Sequence, residues 1–194
     1  MKKILILNGH PDSESLNHAL SEAYIAGAIE NHPKLQAERI DIGKLAFDPN
    51  LKFGYRTSQQ LEPDLQRAIE KIKDADHLVW FFPTWWQGFP AIMKGFIDRV
   101  FLPGIAYKFE KGKILQKKLL KNKSARIIVT SDTPGWYNRI FLGRPAINQM
   151  KKAVLQFCGV SPVKVTHFRI VRKSDDKTRQ KWFDQVRKLG ENLL

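Results

Sequence analysis

Three short stretches of the chain carry side chains that plain connections do not need. The first, 8–17, reads NGHPDSESLN and leads straight into a helical pattern. Backbone N–H groups left free at a helix start, flanked by the hydroxyls of Ser13 and Ser15, make an anion site, with His10 and Asn17 as further donors. Capping of the helix by a serine would use the same residues. Gly9 stands alone, so the stretch is neither a dinucleotide glycine fingerprint nor a P-loop. Asp12 and Glu14 would repel a phosphate and are expected to face solvent or to cap. The second stretch, 82–90, reads FPTWWQGFP. Two adjacent tryptophans between a strand and a helix cannot both enter one core, so at least one should wall a cavity or an interface. A hydrophobic staple at the helix start is the plainer alternative. The third stretch, 130–137, reads TSDTPGWY, small hydroxyl residues followed by a Pro-Gly turn and two aromatics, which suits the edge of a ring that needs hydrogen bonds. A phosphate cradle and two such loops, brought to one place, describe a flavin site in which the protein supplies orientation and electrostatics.

Bringing the loops together requires particular elements, and the chain alternates strand and helix signals from end to end. Short runs predict strands at 4–7, 36–42, 78–82, 125–129 and 163–168. Helices are predicted at 15–31, 64–73, 89–101, 145–158 and 177–193. The period is clearest in 89–101, where Phe89, Ile92, Met93, Phe96, Ile97, Val100 and Phe101 share a face. On its polar side Lys94 and Arg99 read as a solvated face, with a dimer salt bridge as the alternative. Segment 43–63 is too polar and turn-rich for core and reads as a loop excursion. Strands alternating with helices imply right-handed crossovers and a parallel sheet covered on both sides. The expectation is one α/β domain over 1–194, a flavodoxin-like three-layer sandwich with five parallel strands in the order 2-1-3-4-5. That order puts a crevice at the carboxyl ends of strands one, three and four, where the three loops emerge.

Composition narrows the class. The 194 residues are 43% hydrophobic and 27% charged, a globular balance without repeats. The single cysteine, Cys158, excludes a disulfide framework and a Cys-rich zinc site, and no metal is expected; Cys158 reads as a small core hydrophobe. No run approaches the roughly 18 apolar residues of a membrane helix, since 78–93 is broken by Pro83, Gln87, Gly88 and Pro90. Behind Lys2 and Lys3 only 4–7 is apolar, a strand and not a signal-peptide core, so the expected location is cytoplasmic. Thirty-three Lys and Arg against 19 Asp and Glu give +14, a field that attracts anions of every kind. Its two clusters, 108–126 and 164–181, read as solvated faces and lack the aromatic and glycine pattern of an RNA-binding sheet. No specific nucleic-acid partner is expected, and no membrane association beyond peripheral contact. His18, His32 and His77 read as surface or satisfied structural residues.

Segment 82–101, FPTWWQGFPAIMKGFIDRVF, with 105–109 and the later Phe157-Cys158-Gly159, carries a resemblance that extends over nearly the whole chain. On these residues the sequence resembles the flavodoxin-like NAD(P)H:quinone oxidoreductases, the group of DT-diaphorase, modulator of drug activity B and the ancillary oxidoreductases of potassium-efflux systems. The resemblance implies a homodimer with a flavin, FAD or FMN, at the subunit interface. It implies ping-pong turnover, with NAD(P)H as hydride donor and a quinone or similar acceptor. His10, Ser15, Leu16 and Asn17 would hold the phosphate or pyrophosphate. Pro83, Thr84, Trp85, Trp86 and Gln87 would line the isoalloxazine ring, and Thr130, Ser131, Asp132 and Thr133 would take its other side. Tyr137, close by, is the catalytic candidate. Tyr107 and Phe109 would lean over the ring of the other subunit and, with Trp86, meet the substrate. Two departures stand out. Some relatives place a tyrosine and a histidine after the third loop as a charge relay; here Tyr137 is the one nearby tyrosine, and no histidine lies between His77 and His167, so the sequence gives that relay no support. The chain is also shorter than the eukaryotic members and lacks their C-terminal extension. The positive field would favour NADPH over NADH. Two other functions use the same fold: a flavin-binding regulatory subunit of a membrane partner, and a one-electron flavodoxin-type shuttle, against which +14 argues because such shuttles are usually acidic.

Overall fold

Each apolar run becomes a strand of one parallel sheet in the computed structural model, which describes residues 2–193. In chain order the elements are β1 (Lys3–Asn8), α1 (Leu16–Asn31), β2 (Gln36–Asp41), α2 (Pro63–Asp74), β3 (His77–Pro83) and α3 (Ala91–Val100). They continue with β4 (Tyr107–Lys108), β5 (Lys117–Lys118), β6 (Ser124–Ser131), α4 (Gly135–Ile140), α5 (Pro145–Asn148), β7 (Val163–Arg169) and α6 (Asp176–Glu191). The large sheet runs β2-β1-β3-β6-β7, all pairs parallel. With the two-residue strands β4 and β5 set aside, this is the 2-1-3-4-5 order that the strand–helix alternation predicts. No helix among the described residues is long and apolar enough to cross a membrane.

Both faces of the sheet are covered because successive strand residues point to opposite sides. Leu5, Leu7, Leu78, Trp80, Phe82, Ile127 and Val129 meet α2, α3 and α5 on one side. Ile4, Ile6, Val79, Phe81, Ile128 and Phe168 meet α1 and α6 on the other. Each such side chain, fully buried, contributes about 1.5–3 kcal/mol. On the second side the two helices touch almost backbone to backbone: a Cβ on Gly27 would lie 2.2 Å from the Arg187 carbonyl oxygen, and one on Gly190 would lie 2.1 Å from that of Tyr24. Ser15 caps α1 by accepting from the His18 N–H, and Asp175 caps α6 by accepting from that of Thr178.

Four expectations change. Arg99 is not on a solvated face but fully buried. Its guanidinium donates to the Asp48 carbonyl, to the Gln60 carbonyl at 2.8 Å and to the Glu62 carboxylate at 2.8 Å. Segment 43–63 makes few ladder bonds of its own, and Arg99 supplies donors for its carbonyls while Glu62 offsets the buried charge. The same segment packs Leu45, Phe47 and Leu61 on the core, so it is more than a polar excursion. Lys94 is exposed as expected, paired with Asp98 one turn on. The third loop ends early, because Gly135 opens α4. Finally, the helix that begins at Pro145 continues in π-helical form over Gln149–Gln156.

Candidate functional site

The first loop leaves β1 at Asn8 and is folded on its own side chains. Asn8 accepts from the His10 N–H at 3.2 Å, His10 Nδ1 accepts from the Asp12 N–H at 3.0 Å, and Asp12 accepts from the Glu14 N–H at 2.8 Å. Asp12 and Glu14 are exposed. Burial lowers the pKa of His10. Gly9 sits where a Cβ would meet Met93 Sδ at 2.4 Å, so the loop is pressed against the α3 helix. The backbone N–H groups of Ser15, Leu16 and Asn17 have no acceptor among the described residues, as the opening turn of a helix leaves them.

The second loop is a two-residue turn. Trp85 and Gly88 exchange both backbone hydrogen bonds, at 3.1 and 2.8 Å, and the residues between them, Trp86 and Gln87, both hold positive φ of 51° and 60°. Two consecutive left-handed residues that are not glycine cost about 1–3 kcal/mol each, strain that collects at functional sites. The Trp86 side chain is fully exposed and Trp85 nearly half so, which makes neither a core residue. The Trp86 and Gln87 amides donate to no protein acceptor among the described residues.

Side-chain and backbone bonds tie the loops to one another. Asn17 Nδ2 donates to Thr130 Oγ1 at 2.9 Å, joining the first and third. Gln87 Nε2 donates to Thr133 Oγ1 at 2.9 Å, and the Thr84 N–H to the Thr130 carbonyl at 2.9 Å, joining the second and third. His10 lies edge-on to Trp85 with ring centroids 5.5 Å apart, joining the first and second. Pro83 is buried at the end of β3, and Leu16 packs on the core under the first loop. Asp132 is turned away: its carboxylate accepts from the Arg172 N–H at 2.6 Å, on the segment after β7. Tyr137 lies on α4, exposed and stacked on Phe141 with centroids 5.2 Å apart. Tyr107 and Phe109 are elsewhere in the subunit. Tyr107 packs on Phe157 at 5.0 Å and on Phe109 at 5.7 Å, and no ring contact links either to the three loops.

One residue of this neighbourhood was not found by sequence reasoning. His167 on β7 places Nε2 2.8 Å from Ser131 Oγ, so a histidine does stand beside the third loop, supplied by the neighbouring strand and not by the segment after the loop. Burial, with smaller help from Arg169 and Arg144, pushes its pKa down to about 4, so the ring is neutral at physiological pH. The in-register pairing of β6 with β7 produces this contact, and nothing in local spacing announces it. His77 differs from expectation in another way: it is buried, Nδ1 meets Ser124 Oγ at 2.7 Å, and Nε2 has no hydrogen bond, with the pKa again pushed down to about 4 by burial. His18 lies 3.6 Å from Glu22 and 3.7 Å from Asp41, and His32 meets the Glu191 carbonyl at 2.8 Å. Cys158 is buried, which pushes its thiol up to about 12 and leaves it inert.

The chemistry of the donor set fits a flavin. Asn17 Oδ1 is buried and accepts from no group among the described residues, so the site wants a donor there, and a polyol hydroxyl is one. The Ser15, Leu16 and Asn17 amides suit a phosphate, and those of Trp86 and Gln87 suit a ring edge carrying carbonyls.

A family model for the flavodoxin-like fold matches residues 2–189. The chain belongs to the flavodoxin-like fold family. It is 29% identical over 181 residues to an uncharacterized NAD(P)H oxidoreductase of Haemophilus influenzae, covering 91% of this chain and 88% of that one. It is 30% identical over 174 residues to an FMN-dependent NADH:quinone oxidoreductase of Caldicellulosiruptor bescii, covering 84% of each. The guinea-pig NAD(P)H dehydrogenase [quinone] 1 is 28% identical over 152 residues, which span 54% of its length. The crystal structure of Smu.1420 from Streptococcus mutans superposes with a TM-score of 0.84 at 31% identity, over 98% of this chain and 99% of that one.

Proposed function

We propose that this member of the flavodoxin-like family is a flavin-dependent NAD(P)H oxidoreductase that passes reducing equivalents to a quinone-type acceptor at the crevice of the three loops. The observation that carries the reading is the knot itself: loops from β1, β3 and β6 cross-bonded through Asn17, Gln87 and Thr84, around a buried Asn17 oxygen with no donor. The relatives from Haemophilus and Caldicellulosiruptor, described as an NAD(P)H oxidoreductase and an FMN-dependent NADH:quinone oxidoreductase, support the same chemistry.

A bound flavin would supply the hydride chemistry, taking a hydride from NAD(P)H and later giving it up to the acceptor. The chain's own residues bind, orient and hold charge. The amides of Ser15, Leu16 and Asn17, with His10 beside them, hold the phosphate end, where the positive end of the α1 dipole adds to them. Thr130 holds Asn17, whose Oδ1 would accept from a polyol hydroxyl of the flavin. The strained turn leaves the Trp86 and Gln87 amides free, and they would donate to the polar edge of a bound ring. Thr84, Thr130, Ser131 and Thr133 complete the wall, and the fully exposed Trp86 offers a flat surface to donor and acceptor. Asp132 positions the third loop through Arg172. Tyr137 sits at the mouth on α4, where its hydroxyl can meet a bound acceptor.

The mouth supports the proposed homodimer. Trp85, Trp86, Trp136, Tyr137, Ile140 and Phe141 are all exposed large hydrophobics on the second loop, on α4 and at its end, and clustered exposed apolar side chains mark interaction surfaces. We propose that in such a dimer Tyr107 and Phe109 of one copy lean over the ring held by the other. The protein would act in the cytoplasm. Steady-state rates with NADPH and a benzoquinone acceptor test the reading: parallel double-reciprocal lines are expected, and intersecting lines would show that donor and acceptor occupy the site together.

A further inference from the structure

The basic stretch at 108–126 is not one solvated face but, in part, a projecting hairpin. Tyr107 pairs with Lys118 and Lys108 with Lys117, and the connection between these strands turns at Gly112, where φ is 80°. Its base is rigid: the Leu119 N–H donates to the Ala106 carbonyl, the Leu120 N–H to that of Cys158, and Gln116 Nε2 to that of Phe157 at 3.0 Å. Past that turn, on the return limb, Ile114 and Leu115 are 95% and 77% exposed, two adjacent branched aliphatics off the core. Along the hairpin and just beyond it stand Lys108, Lys111, Lys113, Lys117, Lys118 and Lys121, all exposed. A single carboxylate answers them: Glu110 lies 2.6 Å from Lys113, 3.7 Å from Lys117 and 4.0 Å from Lys108.

We infer that this hairpin docks the protein on an anionic lipid surface, with Ile114 and Leu115 entering the headgroup boundary and the lysines meeting lipid phosphates. The charge of the feature selects the partner. Six exposed lysines paired only through Glu110, beside two exposed aliphatics, match a surface that offers phosphates and an apolar boundary together. Lysines on flexible stems suit a laterally mobile field of phosphates, and their methylenes can lie along the acyl boundary while the ammonium groups stay in water. The net +14 of the chain adds long-range attraction to the same surface.

Co-sedimentation with extruded vesicles tests this on the full chain, with or without bound flavin, so its outcome does not depend on the proposed redox function. Equimolar phosphatidylglycerol and phosphatidylcholine vesicles should capture the protein, and pure phosphatidylcholine vesicles should not. Ile114→Ser with Leu115→Ser, which keeps every charge, should weaken capture about tenfold or more. Lys111→Gln, Lys113→Gln and Lys117→Gln together should weaken it about a hundredfold, with a shallower salt dependence. Thermal melting should be unchanged in both, because neither set touches the core. Equal capture of wild type and the serine variant would overturn the inference, reducing it to adsorption of a cationic protein. So would absence of capture, or a serine variant whose sedimentation shifts to a lighter species, which would show that a second copy covers Ile114 and Leu115.

Discussion

Asn17 gathers most of the site's logic into one side chain, with its amide nitrogen committed to Thr130 and its buried oxygen open. Asn17→Ala should leave the fold intact at a cost of about 1–3 kcal/mol, because Thr130 loses one partner, yet weaken flavin binding at least about tenfold in a fluorescence titration. Trp86 and Gln87 invite the opposite experiment. Both hold left-handed φ, so Trp86→Gly should hold or raise the melting temperature by relieving strain, while the KM for the acceptor rises. A melting temperature several degrees lower would mean that Trp86 is there for folding. The two depressed histidines make a third prediction. His77 and His167 titrate near 4 in the folded chain and near 6.5 in the unfolded one. Between those values the unfolded state binds more protons, so the part of the stability that these two rings contribute falls as pH drops from 6.5 towards 4 and levels off below. The loss is at most about 3 kcal/mol for each ring. Melting curves of His167→Gln across that window should be flatter than wild type.

At the level of elements, Arg99 is the pin that holds segment 43–63 to α3. Arg99→Ala leaves Glu62 and two carbonyls without their donor and should cost about 3–5 kcal/mol, a fall of about 10 °C in melting temperature. The α1–α6 contact is equally exacting. Gly190→Ala puts a methyl against the Tyr24 carbonyl and should cost about 1–3 kcal/mol, whereas an alanine at Gly54, with open space around it, meets only the penalty of its positive φ. These elements also mark the limits of reading the sequence. The strands and the long helices were legible because apolar runs and periodic faces are local signals, and the order of the sheet followed from their alternation. The loops at its carboxyl edge were legible for the same reason, as short polar and aromatic segments between known elements. Arg99 looked solvated because its partners come from an aperiodic segment 37 to 51 residues away. His167 was missed because strand register, not spacing, sets its place beside Ser131. Helix α4 was missed because six residues with Trp136, Tyr137 and Ile140 exposed show no amphipathic period.

Taken whole, the molecule is a sheet that carries three loops to one edge and leaves an aromatic mouth there and a cationic hairpin outside the sheet. The fold alone suits shuttles, sensors and enzymes alike; the cross-bonded loops, the strained turn and the open Asn17 oxygen are what argue for a flavin enzyme. The charge of +14 sets it apart from acidic electron shuttles. Flavin-dependent turnover is tested by the visible absorption spectrum of the purified protein, incubated with FMN and with FAD, before and after anaerobic addition of NADPH. Protein-bound flavin bands that bleach within the mixing time of a turnover experiment are expected. Bands that persist after NADPH, or protein that retains neither flavin, would contradict it.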